Sequence, residues 1–142
     1  MFKKIMVPVD LAHLQALEKS LTAAADLARH YNAALCYVGV TTSQPSAVAR
    51  TPEEYREKLQ AFAREHAPDN EHAPAAHVYN SHDPVTDLDD ILVQAIEDLN
   101  ADLVVMGTHL PTHLDAIMPA NGSKIAAHTE ASVFLVRPDA SR

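Results

Sequence analysis

The apolar run Leu103-Val104-Val105-Met106 ends abruptly at Gly107-Thr108-His109. A run without alternation is expected of a strand covered on both faces. A glycine at the carboxyl end of a parallel strand lets backbone come close to a ligand. Further on, Asn121-Gly122-Ser123 reads as a helix start, and the free N–H groups of a helix start favour anions. Asp10 closes another apolar run, Phe2-Lys3-Lys4-Ile5-Met6-Val7-Pro8-Val9-Asp10. The chemistry these residues offer is binding rather than covalent catalysis. No serine sits in a G-x-S-x-G elbow, and no Ser/His/Asp set shows a local pattern, so no catalytic residue is assigned.

The chain has only three glycines, Gly39, Gly107 and Gly122. That scarcity excludes a Walker phosphate loop and a G-x-G-x-x-G dinucleotide turn. A net charge of −8 argues against nucleic acid or an anionic membrane as the main partner. No apolar stretch approaches the ~20 residues of a membrane span, and no signal peptide is visible. The single cysteine, Cys36, falls in a probable strand and reads as a buried apolar residue. A reduced, cytoplasmic protein is the expectation. Nine histidines invite a metal site. His109 and His113 have Pro111 between them, which disfavours helical ligand spacing, and no metal site is assigned. The acidic residues Asp83, Asp87, Asp89 and Asp90 fit a helix N-terminus better than a Mg²⁺ site.

Five strands and four helices are needed to position these groups. Leu14, Leu17, Leu21, Ala24 and Ala28 recur at helical spacing and predict a helix over Leu14–Tyr31. Residues 34–40 are a second strand, followed by a Ser/Thr/Pro-rich connection. Thr51-Pro52-Glu53-Glu54 is a capping box that starts a helix, with Tyr55, Leu59, Phe62 and His66 on one face. Residues 75–81 can form a third strand. Thr86 and Asp89 make a plausible capping pair for a helix burying Leu88, Ile91, Leu92, Ala95, Ile96 and Leu99. Val133-Phe134-Leu135-Val136 is the last strand. Strand–helix alternation of this kind calls for a parallel sheet with helices on both faces, in one domain over residues 1–142. Ligands of such sheets bind beyond the carboxyl ends of the strands, near the switch in strand order.

Three stretches at proper spacing make the chain resemble the universal stress protein family: residues 4–10, residues 101–109 and residues 132–137. The resemblance implies a Rossmann-like three-layer α/β sandwich of the adenine nucleotide alpha hydrolase type, usually dimeric through its last strand. It also implies a stress-response module, binding ATP or AMP, with loop-mediated signalling to an unknown protein partner. Mg²⁺ would accompany ATP, and any ATP hydrolysis would be slow and incidental. The positions carried over are Pro8, Val9, Asp10 and Val40 for the base and sugar. Met106, Gly107, His109, Leu110, Asn121, Gly122 and Ser123 fall on the phosphate side. The family's nucleotide loop, G-x2-G-x9-G-[S/T], is incomplete here, because Leu110 stands where its second glycine belongs. An ungapped register places Pro119-Ala120-Asn121 over the Gly-Ser-Asn of one family branch. A shifted register lets Gly122-Ser123 replace the motif, with Lys124 facing the anion. If the loop has lost binding, no cofactor remains, and the protein acts only by dimerisation and protein contact. Asp10 also suits a phospho-accepting receiver domain, but Leu11 after it and Arg137-Pro138 after the last strand oppose that reading.

Overall fold

A computed structural model describes residues 1–67, 74–107 and 122–137. The elements are β1 (Lys4–Pro8), a 3-10 turn (Leu11–His13), α1 (Leu14–Tyr31), β2 (Ala34–Thr41), α2 (Pro52–Glu65) and β3 (Ala75–Asn80). They continue with α3 (Pro84–Leu99), β4 (Leu103–Gly107), α4 (Gly122–Ala127) and β5 (Ser132–Val136). All strand pairs are parallel, in the order β3-β2-β1-β4-β5. The chain builds outward from β1 to β3, then returns to the other side of β1. The switch in direction therefore lies between β1 and β4, as in other doubly wound sheets.

Successive strand residues point to opposite faces, and each face meets its own helix pair. Ile5, Val7, Leu35, Tyr37, Leu103 and Val105 pack with the apolar stripes of α1 and α2. Met6, Cys36, Val38, Val104 and Met106 pack with α3 and with Ile125 of α4. Coverage on both sides is why β1 and β4 read as unbroken apolar runs. The Cys36 thiol is fully buried and donates to the Ile5 carbonyl at 3.4 Å. Among the described residues no helix is long and apolar enough to cross a membrane.

The helix ends show where local chemistry differs from pattern. α3 is capped by Asp83, not by the Thr86–Asp89 pair. The Asp83 carboxylate accepts from the Thr86 backbone N–H at 3.3 Å and from the Thr86 hydroxyl at 2.8 Å. Pro84 then takes the first helical position, where a missing N–H costs nothing. Within α3, Ile91 is only partly buried, unlike Leu88, Leu92, Ala95, Ile96 and Leu99. α2 starts as expected: the Thr51 hydroxyl accepts from the Glu54 N–H at 3.1 Å. At its far end His66 lies outside the core, stacked on Phe62 with ring centroids 4.0 Å apart. β1 is shorter than its apolar run, ending at Pro8, whereas β2 runs one residue further than expected, to Thr41.

α1 and α3 end alike. Asn32 and Asn100 both take the left-handed conformation at φ 54, and the following alanines donate back to Ala28 and Ile96. Asparagine tolerates that geometry better than other non-glycine residues. Each end feeds directly into the sheet, with Ala34 N–H donating to the Lys3 carbonyl and Asp102 N–H to that of Lys4.

Burial sets a testable pH response. It pushes the Cys36 thiol from 9.0 up to about 11, against the lowering effect of Lys4. Burial also pushes the Tyr37 phenol from 10.0 up to about 12. Folded-state values above the unfolded ones mean that this contribution is complete below pH 9 and declines as pH rises toward 11 and then 12. Urea midpoints are therefore expected to be flat with respect to these groups below pH 9 and to fall above it, the thiol step being on the order of 3 kcal/mol at most. At pH 8 Cys36 should react with an aromatic disulfide reagent only at the rate of unfolding.

Candidate functional site

Parallel pairing brings the carboxyl ends of all strands to one rim. β1 lies between β2 and β4, with Pro8 opposite Val38 and Met6 opposite Val104. Val9 continues past the strand, donating its N–H to the Val38 carbonyl at 2.8 Å. Asp10 follows at once. On the other side of the switch, Met106 is buried and Gly107 closes β4, opposite Val136. Pro8, Val9, Asp10, Met106 and Gly107 thus share the rim at the switch. Val40, opposite Tyr79, is one residue short of the end of β2 on the same rim.

Asp10 caps the 3-10 turn. Its Oδ1 accepts from the Ala12 N–H at 3.0 Å, and its Oδ2 lies 2.9 Å from His13 Nδ1. Both oxygens therefore have a partner within the turn, and each retains a further lone pair. The carboxylate is 26% exposed and the His13 side chain 51%, so the pair faces solvent.

The sequence placed Tyr55 only on the shared face of α2, and the structure confirms its burial there while bringing its phenol to this rim. Burial pushes its phenol up to about 12; a Leu11 backbone hydrogen bond opposes that shift, and the nearby Asp10 carboxylate reinforces it. The ring crosses Gly39 so closely that an added Cβ would lie 2.7 Å from Tyr55 Cε1 and 3.3 Å from Leu59 Cδ2. A lone glycine within a strand pattern signals this kind of close approach, and Gly39 was the available clue.

Gly107 differs from Gly39. A Cβ there would meet the Ser20 hydroxyl at 3.8 Å and Leu17 and Val136 at 4.0 Å, all ordinary contacts. Its φ is not positive. Among the described residues, neither sterics nor backbone geometry demands glycine at this position.

Gly122 and Ser123 begin α4 as described. A Cβ at Gly122 would fall 2.3 Å from Leu135 Cδ2, so this glycine also serves packing against β5. Lys124 points toward α3, with Nζ 3.9 Å from Asp89 Oδ2. His109, Leu110 and Asn121 lie outside the described residues, as do Pro119 and Ala120 and the histidine pair His109 and His113. Among the described residues, no group of three His, Cys, Asp or Glu side chains could hold a metal ion. Asp83 and Asp87 are engaged locally: Asp83 caps α3, and Asp87 accepts from the Ser81 hydroxyl at 2.9 Å. A groove of about 480 Å³ runs between α1 and α2, from Leu14 past Leu21 and Tyr37 to Phe62 and His66, and none of the proposed rim residues lines it.

The parallel sheet, its helices on both faces and its rim switch define a doubly wound α/β protein. The model of the universal stress protein family matches residues 1–137, and the chain belongs to that family. Solved structures agree on the fold. Universal stress protein UspA from Lactobacillus plantarum is 18% identical, with a TM-score of 0.63 over 95% of this chain and 97% of that one. The Archaeoglobus fulgidus universal stress protein in complex with dAMP is 16% identical, with a TM-score of 0.62 over 94% and 96%. A universal stress protein in complex with cAMP is 20% identical, with a TM-score of 0.58 over 97% and 99%. No curated protein matches the sequence.

The Gly39–Tyr55 contact gives a direct check on the rim's construction. Gly39→Ala should destabilise the protein by about 1–3 kcal/mol, as overpacking does, read from the urea midpoint. Gly107→Ala should change stability far less. Equal losses at the two positions would refute the steric distinction.

Proposed function

We propose that the rim between β1 and β4 holds an adenine nucleotide, ATP or AMP, and that occupancy governs the protein's choice of partner. One observation carries the reading. The fold brings Asp10 and Gly107 to adjacent strand ends at the switch, in a family whose solved members include complexes with dAMP and cAMP. Pro8, Val9, Asp10 and Val40 would address the base and sugar. Gly107, left open by its neighbours, would let backbone approach phosphate beside Met106. His109, Leu110, Asn121, Gly122 and Ser123 complete the proposed set. Mg²⁺ would enter with the phosphates of ATP. Turnover, if any, would be slow and secondary to binding.

A specific observation favours a second reading, in which the protein acts without nucleotide. Both Asp10 oxygens already have partners inside their own turn, and Leu110 replaces a loop glycine. Loss of two or three phosphate donors at about 1.5–3 kcal/mol each would weaken binding by orders of magnitude.

Calorimetry with ATP, ADP and AMP, with and without Mg²⁺, separates the two. Under the first reading nucleotide binds, and Asp10→Ala lowers affinity by roughly 10- to 100-fold, the loss of a hydrogen bond to a charged group. Absence of binding heat at millimolar ATP, together with empty protein after heat release, selects the second.

Either reading includes a homodimer through β5, an edge strand that leaves Phe134 45% and Leu135 44% exposed. Light scattering should give a dimer mass for the wild-type chain and a monomer mass for Phe134→Glu, whose carboxylate would be buried without a partner. A monomeric wild-type chain at micromolar concentration would count against this interface.

A further inference from the structure

The sheet has a second open edge. β3 is hydrogen-bonded to β2 alone, and among the described residues no strand lies outside it. Natural edge strands are usually blunted by a bulge, a proline, a charged side chain or very short length. β3 has none of these. Its six residues, Ala-Ala-His-Val-Tyr-Asn, pair in unbroken register from Cys36↔Ala75 to Thr41↔Asn80. A groove of about 400 Å³ follows this edge, lined by Ala76, His77, Val78 and Tyr79 and overhung by Arg56 and Gln60 of α2. Successive strand residues point to opposite faces, so four in a row can share one groove only if it runs along the strand's side. That side presents backbone N–H and C=O groups.

Charge selects the occupant. Arg56 is exposed and makes no ion pair among the described residues. His77 adds little charge at neutral pH, because burial and then Lys4 hold it below its ordinary value. The Tyr79 phenol donates to the exposed Asp98 carboxylate at 2.9 Å and stays neutral. That carboxylate belongs to α3, on the sheet face opposite α2, so Arg56 is the charge on the α2 side of the groove. We infer that the β3 edge docks an extended segment of a partner protein by strand addition, with one carboxylate of that segment meeting Arg56. Backbone hydrogen bonds supply affinity in this mode, and side-chain contacts supply selectivity. A single carboxylate is specified because the chain's own charge of −8 repels an acidic tract. A second copy of this chain is a poorer fit, since its β3 carries no carboxylate to offer Arg56.

The test uses the full chain, isotope-labelled for NMR, and three capped heptapeptides alternating Thr and Val. One has a central glutamate, one a central lysine, and one the glutamate with alternate amides N-methylated. The glutamate peptide should shift resonances of residues 75–80 and slow their amide exchange. It should bind about threefold tighter than the lysine peptide, the scale of a cross-strand ion pair. The N-methylated peptide should lose binding, and Arg56→Glu, at an exposed helix position, should invert the glutamate–lysine preference. Three results would overturn the inference: shifts confined to residues 132–136, equal binding of glutamate and lysine peptides, or undiminished binding after N-methylation. Peptide-independent self-association of Phe134→Glu through residues 75–80 would assign the edge to a second copy instead.

Discussion

Two consecutive amides at the head of β1 fix the centre of this molecule. The Asp102 carboxylate accepts from the Lys3 N–H at 2.9 Å and the Lys4 N–H at 3.1 Å, just before β4 begins. This two-pronged contact joins the first and fourth strands, which are a hundred residues apart in sequence and closed by a costly loop. The register Ile5↔Leu103 and Met6↔Val104, carried two residues further, brings Pro8 level with Met106 just before β4 ends. The neighbourhood of Asp10 and Gly107 is therefore set from the opposite end of the sheet. Every functional reading of the rim depends on that register.

Much of the architecture was legible because the sheet is buried on both faces. Continuous apolar runs marked β1, β2 and β4, and the 3.6-residue stripes of α1 and α3 were equally plain. Pattern failed where a single side chain decides the geometry. Thr86 and Asp89 look like a capping pair, but Asp83 before Pro84 is better placed, since proline needs no hydrogen-bond acceptor. The 3-10 turn after Asp10 left no periodic signal, because three residues are too few to show one. His66 shared a helical face on paper and in fact closes that helix at the surface.

The candidate site was legible by strand end rather than by contact. Asp10, Val40 and Gly107 were expected on one rim, and they share one, because alternation alone fixes which strand ends coincide. The partners of Asp10 were invisible, since His13 and Ala12 meet it through the turn's own geometry. Tyr55 was legible as a helix-face residue but not as a rim residue, because it reaches the rim from a helix distant in sequence. The three glycines also proved unlike one another. Gly39 yields to an aromatic ring, Gly122 to a leucine of β5, and Gly107 to nothing within the described chain.

The strand order carries a consequence for valency. β5 and β3 are the two ends of one sheet, and they differ in character, apolar at one and polar at the other. Two-fold pairing through β5 would fuse two sheets into one ribbon of ten strands, with a β3 at each extremity. Nine strand spacings separate those extremities by roughly 45 Å. Such an assembly would grip a partner in duplicate, and avidity would then depend on whether that partner can span the ribbon.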